Sequence, residues 1–176
     1  MNPPNGHFFA QNVDEFSELL NRMNGSKSVL EIGSRYGESL RWFAKNCLKE
    51  SRIVSVDLGY CVDSGERSGR WLINVCGEIA EEHDIYMIEG DSHDPKIIER
   101  VKSLGPYDFV FIDGDHSKEG VREDWKNYGP MGKIVAFHDI CCLQEVGELW
   151  AEILQEKKCE FFWNEKGGMG IGVVYQ

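Results

Sequence analysis

Two kinds of apolar pattern alternate along this chain. Short runs dominated by apolar residues fall at Ser28–Ile32, Arg52–Asp57, Ile85–Ile88, Tyr107–Ile112 and Lys133–Phe137. Between them apolar residues recur three or four positions apart, as in Val13, Phe16, Leu19, Leu20 and Met23, or Leu143, Val146, Leu149, Trp150, Ile153 and Leu154. The runs read as strands buried on both faces, and the periodic stretches as amphipathic helices. Regular alternation of the two predicts an α/β fold: a doubly wound, mostly parallel sheet in three α/β/α layers. Glu160–Trp163 and Gly170–Tyr175 follow the last helix with a short turn between them, and predict an antiparallel hairpin at one edge.

Local signals set the boundaries. Asn12 or Asp14 caps the first helix and Gly25 lies past its end; Asp94 followed by Pro95 reads as an N-cap with proline at the first helical position. Glu38–Glu50 reads as one helix carrying Leu40, Phe43, Ala44, Cys47 and Leu48. Leu72–Ala80, Ile97–Leu104 and Val121–Tyr128 supply three more, and Gly105-Pro106 and Gly129-Pro130 stop the last two. Gly59–Gly69 reads as a mobile loop at the binding edge. Residues 1–12, with two prolines and Gly6, read as an irregular arm whose Phe8 and Phe9 either cover a ligand or staple the arm to the core. The organisation expected is one domain, with residues 1–26 an arm and helix packed on a core of 27–176.

The chain is organised around Val29–Gly37, Val-Leu-Glu-Ile-Gly-Ser-Arg-Tyr-Gly: a strand, a glycine turn and then a helix. Glycines there let backbone approach a ligand, and the helix N-terminus presents free N–H groups. A dinucleotide site asks for Gly-x-Gly-x-x-Gly, but its second glycine position is Arg35. Glu31, two residues before Gly33, disfavours a diphosphate and favours a cation. Asp57 ends the second strand 24 residues beyond Gly33, where one carboxylate can accept both ribose hydroxyls of any nucleoside cofactor.

The pattern Glu31-x-Gly33-x-x-x-Gly37-x-Ser39 resembles the first motif of class I S-adenosylmethionine-dependent methyltransferases, whose fold is Rossmann-like. The likeness extends through Ile53–Asp57, Ile88–Asp91, Tyr107–His116 and Gly132–Ile140. The strings FIDGDH and IVAFHDI resemble the branch of small-molecule O-methyltransferases that includes macrolide-sugar and cephalosporin-tailoring enzymes. The resemblance implies that Glu31, Gly33, Ser34, Gly37, Asp57 and Asp113 bind S-adenosyl-L-methionine, with Asp91 and Ser92 on the adenine side. It places Asp113 and the pair His138–Asp139 where a divalent metal, magnesium or manganese, is bound, and His116 where a general base acts. Metal-binding relatives carry an acid where this chain has His138. Magnesium prefers oxygen, so either His138 is not a ligand or the ion is a softer one such as manganese or iron.

Asp113, Asp115, His116, His138 and Asp139 all fall at the ends of the fourth and fifth strands, where open parallel sheets place their chemistry. A plainer reading has Asp115 and Asp139 as caps of the following helices and the histidines as hydrogen-bonded filler. Gly167, Gly168, Gly170 and Gly172 have no helix after them and read as turn and edge-strand glycines.

Composition narrows the partners. A net charge of -11 with scattered lysines and arginines repels a nucleic-acid backbone. No apolar run approaches a membrane span and the N-terminus lacks a leader pattern, so a cytoplasmic protein is expected. The six cysteines include no C-x-x-C and read as reduced, mostly buried small hydrophobes, with Cys141-Cys142 in the first turn of a helix. The function expected is O-methylation of a small hydroxylated acceptor, with metal assistance open. The alternatives are a non-catalytic S-adenosylmethionine-binding domain and an NAD-dependent oxidoreductase. In 176 residues there is little room for a pocket-building insertion, so a homo-oligomer or partner subunit is a candidate to complete the acceptor site.

Overall fold

Five strands whose residues are apolar on both faces need helices on both faces. β1 (Ser28–Ile32), β2 (Arg52–Asp57), β3 (Asp84–Glu89), β4 (Tyr107–Ile112) and β5 (Gly132–Phe137) run parallel in this computed structural model, which describes residues 12–60, 62, 65 and 67–176. Two antiparallel strands complete the sheet, β6 (Lys158–Phe162) and β7 (Ile171–Tyr175), in the order β3-β2-β1-β4-β5-β7-β6. The order reverses between β1 and β4, and the crevice beyond that pair is where such sheets receive ligands.

Successive strand residues point to opposite faces, and the helices divide accordingly. α1 (Val13–Met23), α2 (Glu38–Asn46) and α3 (Gly69–Ile79) cover Val29, Ile53, Phe109 and Phe111; α4 (Pro95–Leu104), α5 (Lys118–Tyr128) and α6 (Gln144–Glu156) cover Leu30, Val54, Val110 and Val135. The first face is held by an aromatic cluster. Phe43 stacks on Phe16 at 5.5 Å and meets Phe109 and Phe111 edge-on at 5.4 and 5.3 Å. α1 therefore belongs to the core itself.

The caps fall as the sequence indicates at Asn12, which accepts the N–H of Asp14 and Glu15, and at Asp94, which accepts that of Lys96. Other expectations need correction. α2 ends at Asn46 rather than Glu50, because Cys47 turns extended and the Leu48 N–H goes to Ser26 O; Leu48 is exposed. Ser117, not Asp115, caps α5, and Asp139 caps nothing, since α6 begins after Leu143 without a side-chain cap. Cys141 and Cys142 lie in the turn before α6. Of the five cysteines described, all free, only Cys76 is buried. β6 and β7 do form the expected antiparallel hairpin at one edge, but β6 is the outer strand, so Gly172, read as an edge-strand glycine, lies in the inner strand β7, and the link between the two is no short turn but spans residues 163–170. The expectations for Phe8, Phe9 and Cys61 lie outside the described residues.

Candidate active site

The turn after β1 is shaped by protein contacts. Gly33 has φ +87°, and a Cβ there would lie 2.1 Å from the Asp113 carbonyl oxygen, because β4 crosses directly beside it. Gly37 has φ +79°, and its Cβ would press on Val75 and Leu72 of α3. The sequence points to glycine for a ligand's approach; the structure uses both glycines to bring neighbouring elements close. Between them Arg35 takes a left-handed conformation, φ +48°.

Asp57 holds that turn. Its Oδ2 accepts the Arg35 N–H at 2.6 Å and its Oδ1 the Gly59 N–H at 2.7 Å, with the Ser68 hydroxyl at 3.4 Å. Burial raises the carboxyl, against the pull of those donors. Oδ2, with one donor, retains a lone pair, so a ribose contact remains open to it.

Glu31 is the most unusual residue of the region. It points into the α1–α3 side of the sheet between Ser55 of β2 and Phe111 of β4, fully buried, and neither carboxylate oxygen has a hydrogen-bond partner. Burial lifts its carboxyl to about 8; the Ser39 and Ser34 hydroxyls nearby oppose this without hydrogen-bond geometry, and the charges of Asp113 and Asp57 add to it. Ser34 instead receives the Ser55 hydroxyl at 2.7 Å. Glu31, Asp57 and Asp113 thus share one electrostatic neighbourhood.

At the end of β3, Asp91 is exposed and accepts the His93 N–H at 2.9 Å, while the Ser92 carbonyl accepts the Tyr128 hydroxyl of α5. This pins the turn and leaves the Asp91 side chain outward.

The β4 and β5 ends converge. His116 Nε2 lies 3.2 Å from Asp113 Oδ1 and 3.5 Å from Asp139 Oδ2; His138 Nδ1 lies 3.4 Å from Asp113 Oδ1 and 3.1 Å from Asp139 Oδ1. The rings differ in access, His116 at 39% side-chain exposure and His138 at 5%. Burial alone would raise Asp113, but His138 and His116 override it and hold the carboxyl far below its ordinary range. For His138 burial is likewise outweighed, by Asp113 and Asp139, and the imidazole is pushed up to about 10. His116 is raised by the same two carboxylates against burial.

Asp113, His116 and Asp139 each offer a ligand atom within 4.8 Å of the others, close enough for one cation. His138 does not join them. The sequence placed it among the ligands; its Nδ1 faces Asp113 and Asp139, whose charges favour the protonated ring over one with a lone pair to give. Asp115 is also outside the cluster, because its Oδ1 accepts the Ser117 N–H at α5.

Two contributors escape the sequence. Cys142 Sγ donates to Asp139 Oδ1 at 3.2 Å, and burial and that carboxylate push the thiol to about 12. Its place three residues after Asp139 is the one hint. The Arg35 backbone N–H is the other, visible only once β2 lies beside β1.

A family profile described as a methyltransferase domain matches residues 30–140. No curated protein matches the chain by sequence. Among solved structures it is similar to the O-methyltransferase TomG from Streptomyces achromogenes, involved in tomaymycin synthesis and solved with SAM (17% identity, 92% of this chain and 78% of that one, TM-score 0.69). It is similar to an O-methyltransferase from Bacillus cereus solved with SAH (17%, 92% and 80%, TM-score 0.65). A third is described as a possible O-methyltransferase from Klebsiella pneumoniae (17%, 99% and 83%, TM-score 0.67). Those likenesses establish the doubly wound fold, and the profile, spanning the glycine turn through the His138–Asp139 pair, gives the family: this chain belongs to the methyltransferase domain family.

Proposed function

We propose that the chain moves a methyl group from S-adenosylmethionine to a hydroxyl oxygen of a small acceptor. The observation that carries this reading is the His116 imidazole, held through Nε2 by Asp113 and Asp139 at the strand ends, beside the buried acid of the glycine turn. S-adenosylmethionine, when bound, supplies a methyl on a sulfonium, an electrophile open to in-line attack by a hydroxyl.

The residues fit such a ligand. Glu31 is a buried carboxylate lacking a donor, suited to an ammonium or sulfonium. The turn Gly33, Ser34 and Gly37, the Asp57 carboxylate and the outward Asp91 with Ser92 complete the surface for a nucleoside. With Nε2 turned to the carboxylates, Nδ1 of His116 is the nitrogen that accepts the acceptor's hydroxyl proton. The carboxylates orient the ring and stabilise the imidazolium that forms.

The convergence of Asp113, His116 and Asp139 supports a second reading, in which they hold a divalent cation that lowers the pKa of the acceptor hydroxyl. An imidazole beside two carboxylates suits manganese better than magnesium. The two readings use the same nitrogen of His116 and exclude each other.

Calorimetry with S-adenosylmethionine, S-adenosylhomocysteine and NAD tests the donor. Binding of NAD alone would overturn the reading. A panel of hydroxylated acceptors, run in EDTA and with added manganese, tests the rest: the base reading expects turnover in EDTA that His116→Ala abolishes, and the metal reading expects turnover only with manganese. Absence of turnover under both conditions with intact donor binding supports a non-catalytic binder. We assign residues 27–176 as the catalytic unit, with α1 packed into its core. No helix among the described residues is long and apolar enough to cross a membrane. The free cysteines suit a reducing compartment, and we place the activity in the cytoplasm.

A further inference from the structure

Glu15 lies in the first turn of α1, remote in sequence from every strand end, yet it is 2% exposed. Its Oε1 accepts the Asn164 N–H at 2.6 Å, and its Oε2 accepts those of Met169 and Gly170, both at 3.2 Å. The link between β6 and β7 is fitted closely to this carboxylate: a Cβ on Gly168 would lie 2.0 Å from Oε1. One side chain therefore ties down both ends of the segment from Asn164 to Gly170.

That segment in turn holds the backbone after β5. Gly170 O accepts the Ile140 N–H at 3.3 Å and Met169 O accepts the Cys141 N–H at 2.9 Å. Ile140 directly follows Asp139, whose φ of +64° is left-handed, a conformation that aspartate tolerates better than most residues and that the neighbouring backbone hydrogen bonds help to hold. Asp139 faces both His116 and His138, as Asp113 does from the end of β4. We propose that Glu15 is a positioning residue for the reaction: acting through the segment Asn164–Gly170, it fixes Asp139 and with it the two imidazoles. α1 is then part of the catalytic architecture. The inference rests on the role proposed above for the histidine–aspartate cluster.

The test reads ring environment in the full-length protein, by proton–nitrogen correlation of the histidine imidazoles, and so needs no acceptor. In Glu15→Gln the amide nitrogen must face one of the two sets of backbone N–H donors, which breaks the clamp. The His116 and His138 signals should move while those of His83 and His93 stay in place, and affinity for S-adenosylhomocysteine should change less than about twofold. Gly168→Ala, which pushes on the clamp from the loop side, should move the same two signals. Leu20→Ala loosens α1 without touching Glu15 and should not. Once an acceptor is known, kcat should fall roughly 10- to 100-fold in Glu15→Gln with KM for the donor unchanged. Unmoved His116 and His138 signals in both clamp variants, or equal movement in Leu20→Ala, would overturn the proposal. A wild-type chain that binds neither S-adenosylmethionine nor S-adenosylhomocysteine would sink the donor assignment and leave this comparison standing.

Discussion

Glu31→Gln separates a buried acid that pairs with a ligand's cation from one that is only packed into the sheet. Taking the Glu31 carboxyl from its ordinary 4.5 to about 8 makes ionisation in the folded chain harder by on the order of 5 kcal/mol, at about 1.36 kcal/mol per decade. At pH 7 roughly nine-tenths of molecules then hold the proton. A ligand cation that pairs with the carboxylate must expel it, at ~1.4 kcal/mol. Calorimetry of S-adenosylmethionine binding in two buffers of different ionisation enthalpy should therefore report release of about 0.9 proton at pH 7, about 0.5 at pH 8 and about 0.1 at pH 9.

The Gln variant has no proton to release. Removing one partner of a buried ion pair costs ~3–5 kcal/mol, of which the ~1.4 for deprotonation is no longer needed, so binding should weaken by roughly 1.6–3.6 kcal/mol. The dissociation constant should then rise roughly 15- to 450-fold at pH 7. Stability carries the same signature. The folded chain keeps a proton that the unfolded chain gives up between 4.5 and about 8, so the wild type loses stability as pH rises through that window, and the variant lacks this component. Equal proton release by both proteins, or none by the wild type at pH 7, refutes the reasoning.

Three further outcomes follow from packing. Gly33→Ala puts a Cβ 2.1 Å from the Asp113 carbonyl at φ +87°, and should lower unfolding free energy by at least ~3 kcal/mol in urea titration. Phe43→Ala removes a ring packed among Phe16, Phe109 and Phe111, and should cost ~3–5 kcal/mol in the same assay while leaving the site residues in place. Asp57→Asn must turn an amide N–H₂ toward either Arg35 N or Gly59 N. Calorimetry should then show donor affinity lower by roughly 10- to 100-fold, with circular dichroism unchanged.

The strands and helices were legible because a strand buried on both faces and a helix buried along one stripe leave different periods in the sequence. Tyr107–Ile112 matches the observed strand end to end, and of the first helix's stripe Phe16, Leu19, Leu20 and Met23 are buried while Val13 is exposed. Boundaries were legible where a single side chain decides them, as at Asp94-Pro95, and illegible where backbone partners decide them. Leu48 fits the α2 period, but its N–H is claimed by Ser26 from the other side of the β1 entry.

The candidate site divides along the same line. Sequence alone determined the ordered set of strand-end acids and histidines, because parallel crossover connections bring every strand's C-terminal end to one edge of the sheet. It could not determine what each group does there. Gly33 is a glycine because Asp113 passes beside it, Asp57 holds the Arg35 N–H, His138 faces the two carboxylates that raise its pKa, and Glu15 ties down the β6–β7 link from the opposite end of the sequence. Period and spacing are properties of neighbours along the chain. Burial, orientation and charge coupling are properties of neighbours in space, and only the folded sheet supplies them.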